Sequence, residues 1–236
     1  MVNKKTSSRG IALWKYLVGA WIAVVILGAF VWVGDAAGFA PGTSRIMLFH
    51  LPMAMMSVIA FWTSMVYAIH VLRTREPVAD LKSMIAAELG LLFGVLATLS
   101  GSIFAASNWN SFWNWDPKET SMLVLLLIYG AYFGLRSAVE DEERRGTLAA
   151  VYNIFAGIVM PFLVFVVPTI PALQSSHPTG VLTGSGRLSP EYRVVLYSGL
   201  LGYLGLFIWM FQLQLRAGLI GLRQEEDTLS SRAMVE

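Results

Sequence analysis

The sequence predicts an all-α integral membrane protein with six transmembrane helices, and its composition, its long apolar runs and its short connections all favour this fold. Hydrophobic residues make up 56% of the 236 residues and charged residues only 14%, whereas soluble domains carry about 25% charged residues. Six apolar segments reach the roughly 20 residues that a helix needs to cross a bilayer. Because the connections between them are short, we expect a single six-helix domain over residues 1–236.

The six predicted spans follow one another along the chain. The first comes after three basic residues but is longer than the apolar region of a secretory signal, so we interpret it as a retained helix. Short charged connections follow the second and fourth spans, at residues 73–81 and 136–146. The mixed-charge connection 136–146 is expected to be a solvated loop or a docking site for a cytoplasmic partner. The predicted spans are Leu13–Val33, Pro52–Leu72, Met84–Ala106, Pro117–Leu135, Leu148–Val167 and Pro190–Leu215.

The basic residues predict the orientation. With the N-terminus in the cytoplasm, thirteen Lys and Arg residues lie on the inner side, and only Arg45, Lys118, Arg187 and Arg193 lie on the outer side. This distribution agrees with the positive-inside rule. We therefore expect a multi-pass membrane protein with both termini in the cytoplasm and the tryptophan segment on the outer side.

The absence of cysteine excludes several chemistries. The chain has no cysteine, so it forms no disulfide, offers no thiolate to a metal and attaches no haem covalently through a C-x-x-C-H motif. No segment resembles a nucleotide-binding loop, so any ATP-dependent step must belong to another chain. The net charge of +2 gives no indication of nucleic-acid binding.

A tryptophan-rich segment, SNWNSFWNWDPKETS at residues 107–121, is predicted to lie on the outer face before the fourth span. Trp109, Trp113 and Trp115 are three of the eight tryptophans of the chain. They could belong to an interfacial aromatic belt, but a belt spreads its aromatic residues over many helix ends. The crowding of these three tryptophans in one connection favours a platform for a large planar ligand with a polar edge, such as a porphyrin or a quinone.

Asp116 has two interpretations. It precedes Pro117, which suits the first position of a helix, and Glu119 stands where a capping-box acid belongs. Asp116 is therefore a candidate helix cap as well as a candidate member of the platform.

Two of the three histidines are expected on the same side as the tryptophans. His50 precedes the second span and His177 lies in the third outer loop, whereas His70 lies about 30 Å from His50 along the same span and cannot share its site. Imidazole is a common ligand of haem iron, and two histidines from separate loops could ligate one iron. Haem propionates would then need cations, for which Arg45 and Arg193 are the leading candidates.

These residues carry a resemblance to a known family. The segment WNSFWNWDPKETS resembles the WWD motif of the haem-handling proteins of cytochrome c-type biogenesis. The segment RIMLFHLPMAMMS, at residues 45–57, resembles the outer-histidine segment of the CcmC family. After Asp116, the sequence Pro-Lys-Glu-Thr is closer to the related CcsA and CcmF proteins.

The resemblance implies a function in haem transport. It implies b-type haem, bound non-covalently at the outer membrane face, with its iron ligated by His50 and His177 and with Trp109, Trp113, Trp115 and Asp116 as the platform. It implies delivery to a periplasmic haem chaperone similar to CcmE. The other implied partners are a small single-span protein similar to CcmD and the ABC transporter subunits CcmA and CcmB, with membrane lipid around the helices.

Alternative functions remain open at this point. A cytochrome c synthase or haem lyase subunit of the CcsA or CcmF type would need an outer domain that holds an apocytochrome peptide, and the sequence leaves little room for one. A haem-transporting permease subunit or an electron-transfer cytochrome b would hold its haem between spans, whereas neither candidate ligand is expected in mid-span. We therefore expect a delivery protein and not an enzyme.

Overall fold

The computed structural model describes residues 6–36, 38–177 and 188–233, with side chains described from residue 13 to residue 224. Arg187 lies outside the described residues. Within them the secondary structure is helical and contains no strand, and six helices are long and apolar enough to cross a membrane, so the predicted fold class is confirmed. The helices are α1 (Thr6–Leu27), α2 (Ser44–Thr74), α3 (Pro77–Trp109), α4 (Pro117–Ala138), α5 (Glu142–Pro161) and α6 (Pro190–Ala233).

The second helix begins at Ser44, eight residues before the predicted start at Pro52. Proline is common at the first position of a helix because it lacks an N–H, and the start of the helix was therefore wrongly predicted at Pro52. In the structure Pro52 is buried inside α2, where Gly199 of α6 packs closely against it and against the carbonyl of Leu48. His50 therefore lies on a helix and not in a loop, which corrects the sequence-based expectation.

The charged connections are also mostly helical, contrary to the prediction. Helix α3 begins at Pro77 and not at Met84, and α5 begins at Glu142 and not at Leu148. Acidic residues in a first turn interact favourably with the helix dipole, and Asp141 caps α5 by accepting a hydrogen bond from the N–H of Arg144 at 2.8 Å. The residues predicted to form connections before Met84 and Leu148 therefore contain the starts of α3 and α5.

Helix α2 organises the bundle because it contacts α3, α5 and α6. Its central part packs against α4 through Phe61, whose ring stacks on that of Tyr129 with centroids 3.6 Å apart. Gly90 of α3 allows the Phe61 ring to approach, since a Cβ at this position would lie only 2.5 Å from it. Helix α1 lies at the edge, mainly against α6.

The tryptophan segment connects α3 to α4 at one end of the bundle. Trp109 is the last residue of α3, and the chain leaves the helix at Asn110, which adopts a left-handed conformation (φ 58°). A second left-handed residue, Trp115 (φ 57°), turns the chain into α4. Bulky residues rarely adopt this conformation, so the contacts on both sides of the segment hold the turn.

Candidate functional site

His50 points from α2 towards α3. Its Nδ1 lies 2.9 Å from the carbonyl oxygen of Ala97 and 3.2 Å from Oγ of Ser100. A carbonyl oxygen can only accept, so Nδ1 carries the proton and donates it. Gly101 makes room for the ring, because a Cβ there would lie 2.9 Å from Cε1 of His50. The neutral ring therefore has its Nε2 lone pair available.

His177 is bound to the tryptophan segment through Asp116. Its Nδ1 lies 2.8 Å from Oδ1 of Asp116, and its ring packs against Trp109 in an edge contact with centroids 5.1 Å apart. No described residue forms a hydrogen bond with Nε2 of either His177 or His50. Both rings therefore present the same atom, Nε2, as a potential metal ligand.

Electrostatics favour a charged Asp116 beside a neutral His177. Burial alone raises the pKa of Asp116, but the N–H of Lys118, the neighbouring His177 and the N–H of Ser176 outweigh it and hold the pKa below its usual range. Burial lowers the pKa of His177, and the attraction of Asp116 offsets this only in part. An unprotonated imidazole is the form that binds metal.

The two histidines line one cavity. It has a volume of about 90 Å³ and lies between α2, α3 and α4 at the end of the bundle that carries the tryptophans. Trp113, Lys118 and Glu119 also line it, together with hydroxyl and apolar side chains of the three helices. The structure thus brings together two imidazoles, an indole, a cation and a carboxylate from four segments of the chain.

The three predicted platform tryptophans occupy different positions. Trp113 lines the cavity, and its ring makes an edge contact with Trp115 at 5.8 Å between centroids. Trp109 contacts His177 and does not line the cavity. Trp115 is 69% exposed and lines a separate groove with the first turns of α4 and with the segment 163–173 that follows α5. The indoles therefore surround the site and do not form one flat wall.

The predicted propionate partners lie away from the cavity. Nη2 of Arg45 donates to the carbonyl of Val33 at 3.3 Å, and Nε of Arg193 donates to the carbonyl of Leu188 at 3.1 Å. Nε of Arg45 is buried, and no described residue accepts from it. The cation that does line the cavity is Lys118, which sequence reasoning had noted only as one of the outer basic residues.

The sequence matches one protein family over almost its whole length. A family model described as CcmC, heme exporter protein C, matches residues 4–230. The chain belongs to the CcmC family. This membership agrees with the resemblance seen in the tryptophan and outer-histidine segments.

Several proteins named heme exporter protein C are similar to this CcmC-family chain. The protein of Bradyrhizobium diazoefficiens is 30% identical over 167 residues, which cover 70% of this chain and 63% of the relative. Those of Paracoccus denitrificans and Haemophilus influenzae are 28% and 27% identical, covering 74% and 85% of this chain and 72% and 83% of the relatives. The match to the Bradyrhizobium protein thus spans less than two thirds of that relative's length.

The sequence of this CcmC-family protein indicated no role at the site for Glu119 or Gly101, and it favoured Arg45 and Arg193 over Lys118 as propionate partners. Lys118 and Glu119 had been read as part of a helix start, yet both line the cavity. Gly101 had no assigned role, although its missing side chain accommodates His50. A signal for the first two was present, because they directly follow the tryptophan motif. No local signal distinguishes Gly101 from the other glycines of α3.

Proposed function

We propose that this protein binds haem at the outer membrane face and delivers it to a periplasmic haem chaperone of the CcmE type during cytochrome c maturation. Its role is to carry haem and not to catalyse a reaction. One observation carries the proposal: two histidines from separate segments line one cavity, and each has Nδ1 hydrogen-bonded and Nε2 available. Two neutral imidazoles suit non-covalent ligation of b-type haem iron.

The size of the cavity supports a carrier. Pockets that enclose a drug-sized ligand measure about 300–1,000 Å³, whereas this cavity measures about 90 Å³. We infer that the protein encloses the ligating groups and leaves much of the porphyrin accessible. Two exposed aromatic side chains lie beside the site: Trp115, 69% exposed, suits contact with the porphyrin, and Phe112, 67% exposed, suits contact with an incoming chaperone.

The arrangement of ligands suits retention followed by release. His50 lies on a helix inside the bundle, whereas His177 lies on a connecting segment held by Asp116. We propose that Trp109, Trp113 and Trp115 flank the haem and that Lys118 contacts a propionate, with Arg45 and Arg193 as more distant candidates.

The proposed setting is the bacterial inner membrane, with both termini in the cytoplasm and the tryptophan segment in the periplasm. Membership of the heme exporter protein C family supports an ABC-type export assembly, and we propose a single-span protein of the CcmD type and the ABC transporter subunits CcmA and CcmB as its other members. Any ATP hydrolysis belongs to those subunits. The connections that precede α2 and α4 at this end of the bundle, residues 33–43 and 110–116, are short, which disfavours a synthase that must hold an apocytochrome peptide.

The test is haem binding by the purified full-length protein in detergent. Haemin is titrated into the protein, and the Soret band of the complex is recorded for His50→Ala, His177→Ala and the double variant. Each single variant should weaken binding and shift the band, because one axial ligand is lost, and the double variant should lose the band.

The matched control is His70→Ala. His70 lies on the same helix as His50, near its other end, and pairs with Glu76 at 3.4 Å. This variant should bind haem as the wild type does. A double variant of His50 and His177 that keeps the wild-type Soret band would reject the proposed site.

A further inference from the structure

The carboxylate of Asp116 joins two segments that are distant in sequence. It caps α4 by accepting from the N–H of Lys118 at 2.8 Å. It also accepts three contacts from the third outer connection: Oγ of Ser175 at 2.9 Å, the N–H of Ser176 at 2.6 Å and Nδ1 of His177 at 2.8 Å. Asp116 is only 6% exposed, so these hydrogen bonds lie in a nearly buried environment.

Capping alone does not explain an aspartate at this position. Serine and asparagine cap helices about as well as aspartate does, and the cap uses only one of the donors around the carboxylate. The other three donors all come from the three consecutive residues 175–177. The negative charge and the two oxygens are therefore directed mainly at the segment that carries His177.

We propose that Asp116 is the positioning residue of His177: it fixes the segment 175–177 against the tryptophan motif and strengthens Nε2 of His177 as an iron ligand. The inference rests on the proposed function, since it assumes that His177 ligates haem. It differs from the sequence-based interpretation, in which Asp116 contacts the ligand as part of the platform. A nearly buried carboxylate surrounded by donors of its own chain acts through the residue that it orients.

The physical reason lies in the second nitrogen of the ring. A carboxylate that accepts from Nδ1–H fixes the tautomer and the ring orientation and makes Nε2 a stronger donor to a metal. His50 has a neutral partner instead, the carbonyl of Ala97. The two candidate ligands are therefore unequal, and His177 should be the stronger electron donor to the iron.

The first test uses the protein without haem. Asp116→Ser and Asp116→Asn both keep a residue that caps α4 but remove the charge. Hydrogen–deuterium exchange of the amides of residues 175–177 should become faster in both variants, because Ser176 N–H loses its carboxylate acceptor. Asp141→Ser is the matched control, since Asp141 caps α5 through the N–H of Arg144 and contacts no histidine.

The second test uses the same variants after reconstitution with haemin. Loss of an outer-shell partner of a metal-bound histidine weakens metal affinity by about 10- to 100-fold, and we expect a decrease in haem affinity of this size. The reduction potential of the bound haem should become more positive, since a weaker donor stabilises the oxidised iron less. Asp116→Glu keeps the charge and should restore part of the potential, whereas Asp141→Ser should change neither quantity.

The outcomes separate this inference from the proposed function. Wild-type affinity, potential and amide exchange in Asp116→Ser and Asp116→Asn would overturn the inference alone, provided that the double histidine variant loses haem. Faster exchange with unchanged affinity and potential would also overturn it, because the carboxylate would then only anchor the segment. If the double histidine variant binds haem normally, the proposed function fails, and the inference fails with it.

Discussion

Asp80 of α3 and Arg136 of α4 form a bidentate ion pair at the end of the bundle opposite the tryptophan segment. Nη1 and Nη2 of Arg136 each lie 2.7 Å from a carboxylate oxygen of Asp80. The side chain of Arg136 is 10% exposed and that of Asp80 is 20% exposed. The pair therefore connects two helices whose other ends carry the candidate site.

Breaking this pair should destabilise the bundle. Removing one partner of a buried ion pair costs about 3–5 kcal/mol, because the remaining charge is left without compensation. We expect Arg136→Ala to lower the unfolding temperature in detergent by many degrees. Glu143→Ala is the control, since Glu143 is 80% exposed and 3.7 Å from Arg75, and loss of an exposed pair costs about 1 kcal/mol or less. Equal shifts in the two variants would contradict the prediction.

Gly101→Ala should impair the site without disrupting the fold. The added Cβ would lie 2.9 Å from Cε1 of His50 and force the ring out of place. Overpacking of this kind costs about 1–3 kcal/mol, and displacement of a candidate ligand should weaken haem binding about tenfold, measured by haemin titration. Gly130→Ala is the control, because nothing lies within 4 Å of its added Cβ. Undiminished haem affinity in Gly101→Ala would argue against His50 as a ligand in this orientation.

Lys118→Ala should weaken haem binding more than Arg193→Ala does. Lys118 lines the cavity with both histidines, whereas Arg193 donates to the carbonyl of Leu188 away from the cavity. Loss of a charge-assisted contact costs about 1–2 kcal/mol, a factor of roughly 5–30 in affinity. Lys118→Arg should retain most of the affinity. A larger effect of Arg193→Ala in the same titration would favour the propionate assignment made from sequence.

Trp113→Ala should reduce haem retention, whereas Phe112→Ala should not. Trp113 lines the cavity, while its neighbour Phe112 is 67% exposed and does not. Burying an aromatic face against a ligand contributes about 1.5–3 kcal/mol. The fraction of haem that remains after gel filtration should therefore fall in Trp113→Ala and stay at the wild-type level in Phe112→Ala. Equal retention in the two variants would remove Trp113 from the proposed platform.

The six spans could be predicted because each one requires only a run of apolar residues within its own segment. A chain in a bilayer must satisfy its backbone hydrogen bonds internally, so each span needs a run of apolar residues that forms its own helix. The ends of the helices were harder to predict. Helix α2 continues through Pro52, which is buried beside Gly199 of α6, and no feature near Pro52 in the sequence indicates this.

The candidate site was predicted in its chemistry but not in its geometry. The residue types of His50, His177 and the tryptophan segment indicated a ligand of haem-like shape, since imidazole binds iron and indole packs on flat apolar rings. The expectation that Arg45 and Arg193 hold propionates followed from their predicted side of the membrane. The structure instead lines the cavity with Lys118, and the roles of all three cations remain predictions.

By itself, the sequence determined a helical membrane protein, and it identified His50, His177 and the tryptophan segment as candidates for binding a metal-containing planar ligand. Only the tertiary structure decided which nitrogen of each histidine is available and which cation shares their cavity. The reason is that Nδ1 of His177 finds its acceptor 61 residues away at Asp116, and Nδ1 of His50 finds its own 47 residues away at Ala97. Such contacts depend on how helices pack, and the order of residues along one segment does not contain that information.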